Sequence, residues 1–238
     1  MKFEFPARRW VALAGLLALW HAPVWAGRPF ATEDAGVIAK GVCEVEAFMQ
    51  RLRLTSRLNE TGLSAQLGCG VIGGTQLAFA LAQSRLSGET ARAMLFSGKT
   101  QLVDGGENKP SFALAYAMQR DRAPNESWRS GATSVNAVVT APVREWLVHL
   151  NLGVTAERAP SRNVTGWALA FERLAVAKGV DAGFEFFGDD RNTGWAQVAG
   201  RWHYMPEKLL FDASLGRQMS GGDANRMTVG LKWIFLGA

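Results

Sequence analysis

Beyond its first 26 residues the chain has no run of 18 uncharged apolar residues, so no membrane-spanning helix is expected there. Cysteine is nearly absent: Cys43 and Cys69 are the only two, too few to form a zinc site alone. Histidine is scarce, three residues in 238, which leaves little for imidazole-based catalysis. No glycine-rich phosphate loop follows a strand and opens a helix, and nothing calls for haem or metal, so no cofactor is expected. The positive excess is mild, +5 over the whole chain, and does not imply nucleic acid.

What is present at the start is an export signal. Lys2, Arg8 and Arg9 form a basic region, residues 10–20 are apolar, and the stretch to Ala26 has small residues at the −3 and −1 positions. An 11-residue run is too short to span about 30 Å of hydrocarbon, which needs roughly 20 helical residues. Residues 1–26 are therefore read as a cleaved signal peptide, residues 27–40 as an N-terminal periplasmic segment, and residues 41–238 as the folded domain. Within the segment, residues 31–40 either extend away from the domain or fold into its mouth.

Alternation with a period of two runs through the rest. Trp146, Val148, Leu150, Leu152 and Val154 interleave with Leu147, His149, Asn151 and Gly153. Met227, Val229, Leu231, Trp233 and Phe235 interleave with Thr228, Gly230, Lys232 and Ile234. One apolar face and one small or polar face suits a soluble sandwich as well as a membrane strand, so the connections must decide. About 12 strands are centred near residues 47, 65, 80, 96, 114, 136, 150, 168, 183, 198, 212 and 230. Short connections at 71–74, 104–109, 141–144, 178–179 and 205–208 alternate with longer ones at 56–60, 83–89, 119–130, 156–163, 188–193 and 218–225. That rhythm is expected of an all-β, antiparallel up-and-down β-barrel in the outer membrane, and a sandwich has no reason to keep it. Trp146, Trp202, Tyr204, Trp233 and Phe235 fall near one rim, where aromatic rings collect at a membrane interface. Trp195 is out of phase with its strand, so a bulge or an inward ring is expected.

The segment Arg28-Pro29-Phe30-Ala31-Thr32-Glu33-Asp34-Ala35-Gly36, then Gly41-x-x-Glu44-x-Glu46 and Gln66-Leu67-Gly68-Cys69-Gly70, carries a family resemblance. It resembles the outer-membrane barrel family described as transporters of the meta-pathway of phenol degradation. The resemblance implies an outer-membrane location and passage of small organic molecules. Two departures stand out: Cys69 occupies a position where an aromatic residue is common, and the chain ends Phe235-Leu236-Gly237-Ala238 rather than on an aromatic residue.

The inward parity set is polar. Counting back from the short turns, Glu172 faces Glu185 and Arg201 faces Asp212. With Lys232, these acids and Arg201 are expected to form a constriction that sets the charge preference of a pore. The same counting sets His149 opposite Asn136, with Ser134 and Asn151 beside them. A Ser/His/Asn grouping supports nucleophilic catalysis when base and nucleophile touch, which makes a lipid hydrolase the rival class. A closed structural or adhesive barrel that displays loops is the third. Cys43 and Cys69 fall on outward parity near the ends of adjacent strands, where an oxidising compartment permits a disulfide. Expected partners are outer-membrane lipid, barrel-assembly machinery, a small-molecule solute and lipopolysaccharide. For the last, Arg57, Arg85, Arg120, Arg122, Arg129, Arg158 and Arg162 lie toward the long loops.

Overall fold

The structure is a computed structural model that describes residues 30–55, 58–158, 161–219 and 223–236. The expected signal peptide and Arg57 lie outside the described residues. Twelve antiparallel strands close into one barrel: β1 (Val42–Arg53), β2 (Asn59–Ile72), β3 (Thr75–Leu86), β4 (Glu89–Val103), β5 (Ser111–Arg122) and β6 (Arg129–Val143) form the first half. The second half is β7 (Trp146–Arg158), β8 (Ser161–Ala177), β9 (Val180–Asp189), β10 (Trp195–Met205), β11 (Leu209–Gln218) and β12 (Asn225–Leu236). Each strand pairs with its sequence neighbours, and β12 pairs with β1, Phe235 opposite Cys43, so no edge is left open. All 12 expected strand centres fall inside their strands.

The period-two pattern has become two faces. Leu152, Leu215, Val198 and Trp233 point outward and are more than half exposed, while Glu46, Asn151, Glu185 and Asp212 point inward and are buried. Such an inside-out distribution suits a barrel whose solvent is hydrocarbon outside. Trp202, Tyr204 and Phe211 form one outward aromatic group at the short-turn end, and Trp233 with Phe235 another.

Two expected loops are not loops. Leu86 pairs with Glu89, so Ser87 and Gly88 alone turn the chain, with φ of 50° and 88°. Positive φ at both central residues is what a two-residue hairpin with the right twist demands. Likewise β7 runs to Arg158, paired with Ser161 at the start of β8. The residues read as loop sequence are instead strand residues that keep the alternation, Ser84, Leu86, Glu157 and Val164 buried and Gln83, Arg85, Arg158 and Asn163 exposed.

Candidate functional site

Residues 30–40 lie in the lumen, the second of the two placements left open for the segment. The Phe30 ring sits against Ala170 and Ala199, and a Cβ on Gly183 would come within 2.7 Å of it. The Ala31 N–H donates to both oxygens of the Glu185 carboxylate at 2.8 and 3.0 Å, and the Thr32 N–H and hydroxyl donate at 2.8 and 2.7 Å. Gln197 Nε2 donates to the same carboxylate at 2.7 Å. The next residue makes a reciprocal pair: Glu33 N–H to Asn151 Oδ1 at 2.7 Å, and Asn151 Nδ2 to Glu33 O at 2.9 Å.

The segment then reaches the opposite wall. Lys99 Nζ is 3.3 Å from the Glu33 carboxylate and donates to Asp34 O at 2.9 Å. Ala35 packs on Ala113, Ala115 and Val138. Its N–H donates to Thr140 Oγ1 at 2.8 Å, and Ile38 N–H donates to Gln76 Oε1 at 2.8 Å. At the exit Lys40 bridges to Gly70, whose Cβ, if it had one, would lie 2.2 Å from Ala39 O. Small wall residues and side-chain acceptors thus replace the secondary structure this stretch lacks, because buried N–H groups must find partners.

Burial pushes the Glu33 carboxyl up to about 7 from its ordinary 4.5, with Lys99 pulling the other way. Two cavities flank the segment. One, of about 230 Å³, is charged and lined by Lys99, Lys232, Glu44, Glu46, Gln66 and Gln76. The other, of about 100 Å³, faces the longer loops and includes Asn136, Asn151, Phe187 and Trp195 in its wall. Trp195 has the inward ring: it stacks on Phe187 at 6.4 Å, with the Arg226 guanidinium 4.8 Å from the Phe187 ring.

The expected constriction is not one cluster. Glu172 faces Gly183, and Glu185 faces Ala170. The reason is a bulge: between Arg173 and Ala177 strand β8 carries three residues against the single Asp181 of β9, which shifts the register by two. Ala175 within it has φ of 51°, and its N–H donates to Asp181 Oδ1 at 2.9 Å. Glu172 instead lies 3.3 Å from His149 Nε2. Lys232 pairs with Glu46 at 2.7 Å and Glu44 at 3.1 Å. Arg201 is opposite Asp212, as counted, and opposite Asp181 on its other side.

His149 faces Thr140, not Asn136, because the turn is only Arg144-Glu145 and Val143 pairs with Trp146. Thr140 Oγ1, which accepts from Ala35, lies 2.9 Å from His149 Nδ1 and has its own proton to give. Ser134 faces Thr155 three same-face rows from His149, and Asn136 Nδ2 donates to Asn151 Oδ1 at 3.3 Å, so the Ser/His/Asn grouping is not assembled. The hydrolase reading loses the geometry that suggested it. Cys43 and Cys69 are directly opposite across β1 and β2 and are disulfide-bonded, Cα atoms 4.1 Å apart. Thr32, Gln197 and Thr140 were not marked by the sequence pattern. The one signal near them is the opening motif at 28–36, which breaks the alternation.

The fold is similar to solved outer-membrane barrels. A KdgM porin in complex with disordered oligogalacturonate aligns with TM-score 0.60 at 9% identity, over 80% of this chain and 99% of that one. The COG4313 outer membrane channel from Pseudomonas putida F1 aligns at 0.57 and 12% identity, over 85% and 98%. Omp33 of Acinetobacter baumannii aligns at 0.50 and 10%, over 81% and 97%. At such identities the likeness carries the fold alone. No protein of curated function matches the sequence. A family model does, over residues 15–235, and the chain belongs to that family, described as uncharacterised conserved protein UCP029691.

Proposed function

We propose that this protein is an outer-membrane channel for small molecules whose bore is narrowed by its own residues 30–40. The observation that carries this reading is the pairing of an apolar outer band with a polar lumen that holds a peptide segment by side-chain hydrogen bonds. A band of exposed apolar residues on the outer wall supports a membrane setting, where a closed barrel satisfies every backbone group. The segment is hydrogen-bonded to the wall by a few side chains rather than built into the sheet, so it is suited to yield or shift. The resemblance of the opening motif to phenol-pathway transporters favours small organic solutes, and the stacked Phe187 and Trp195 beside the upper cavity suit a planar apolar one.

A closed structural barrel is the second reading, favoured by the same segment if it never moves. Planar-bilayer conductance separates them: intact protein with steady or gated channels, and larger channels on deletion of residues 30–38, support the proposal. Folded protein silent in both forms sinks it.

A further inference from the structure

Arginine is concentrated on the outer face of the barrel at the long-loop end. Arg53 of β1 and Arg217 of β11 both pair with Asn225 of β12, one on each side, so they share one outward row. Arg51 lies one row below, beside Met227, whose other neighbour is Leu215. All three guanidinium-bearing residues are exposed. Adjacent strands are about 4.8 Å apart, so Arg53 and Arg217 are roughly 10 Å apart at the backbone, within reach of one anionic head group.

Among the described residues, no outward strand position beside them carries an opposite charge. The outward positions around them are Asn59, Thr61, Asn225, Met227, Leu215 and Ala196, with no carboxylate. Farther round, Arg92 and Arg122 are direct cross-strand partners, both exposed and outward. Like charges directly opposite cost stability unless an anion joins them. Below the arginines runs a groove of about 520 Å³ on the outer wall, lined by Phe186, Ala196, Val198, Leu215 and Met227, with Arg51, Arg53 and Arg217 at its edge.

We propose that Arg51, Arg53 and Arg217 form a binding site for lipopolysaccharide, their guanidinium groups on the lipid A phosphates and an acyl chain in the groove beneath. The occupant follows from the chemistry and rests on the outer-membrane placement proposed above. An apolar trough below and bidentate phosphate donors above match an amphiphile whose phosphates sit at its head. A free phosphate has no use for the trough, and a neutral lipid none for the arginines. The arginines face outward, and the strand positions of the lumen-facing Glu185, Gln197 and Arg226 form part of the groove's wall.

The test uses refolded full-length mature protein in detergent, native mass spectrometry and bisphosphorylated hexa-acyl lipid A as probe. A stoichiometric adduct is expected that falls at least tenfold in affinity with Arg51→Gln, Arg53→Gln and Arg217→Gln together. Lipid A stripped of both phosphates is expected to bind at least tenfold more weakly to the unaltered protein, an arm that stands even if the triple variant does not fold. Equal binding by the variant, by dephosphorylated lipid A or by phosphatidylglycerol overturns the proposal. Insertion into phospholipid vesicles, read by heat-modifiable migration, is measured alongside. Its failure counts against the membrane reading, while insertion without lipid A selectivity counts against the arginine site alone.

Discussion

The carboxylate of Glu185 is the principal anchor of the lumen segment, taking the N–H groups of Ala31 and Thr32 from more than 150 residues earlier in the chain. Four contacts from two residues converge on it, and Gln197 holds it from the neighbouring strand. A fully buried acid is normally costly; here several donors aimed at one group replace its water.

Removing that acceptor is expected to release the segment's first residues. Glu185→Ala takes their acceptor from the buried Thr32 N–H and the half-buried Ala31 N–H, a loss of about 3 kcal/mol for docking. Single-channel recordings are expected to show larger and noisier openings, and limited proteolysis new cleavage between residues 30 and 40. Glu185→Gln, which keeps one carbonyl acceptor, is expected to fall between. Unchanged recordings with Glu185→Ala would show that the segment is held elsewhere.

A pH dependence follows from Glu33. Its docked carboxyl holds a proton up to about pH 7, and an undocked one only to about 4.5. Between those values the docked form binds more protons, so docking is strongest below 4.5 and weakens as pH rises through 7. Lys99, Asp34 and Glu46 are the charges around it. Open probability is expected to rise from pH 4.5 to 7.5 and to flatten in Glu33→Gln. An identical slope in that variant assigns the effect to another group.

The Cys43–Cys69 bond ties β1 to β2 beside the β1–β12 seam where the barrel closes. A cross-link over a 26-residue separation removes about 3 kcal/mol of chain entropy from the unfolded state. Reductant, or Cys43→Ser with Cys69→Ser, is expected to lower the temperature at which heat-modifiable migration is lost. The native protein is expected to resist alkylation until reduced; labelling without reductant would refute the bond.

Gly70 is where the segment leaves the lumen, close enough that an added methyl group meets Ala39 O and Ile38 O at 2.2 and 2.3 Å. Gly70→Ala is expected to push that exit aside and to give conductance close to that of the 30–38 deletion. Gly73→Ala, at a neighbouring site with open space, is the control and is expected to behave as the native protein does.

The sequence by itself determined the wall. Strict alternation tells each strand residue which face it takes, because the strand period is two and a membrane makes the faces chemically opposite. Hence the 12 strands, the outward cysteines and the Arg201–Asp212 row were all legible. Where counting failed, at Glu172 with Glu185 and at His149 with Asn136, a bulge or a shorter turn moved the register by an even number of residues. Such a shift keeps every face and changes every partner, so parity alone cannot reveal it. Only the tertiary structure decided where residues 30–40 go. They have no period to read, and their hydrogen-bond partners lie on β3, β4, β6, β7 and β9, brought together only by closing the barrel.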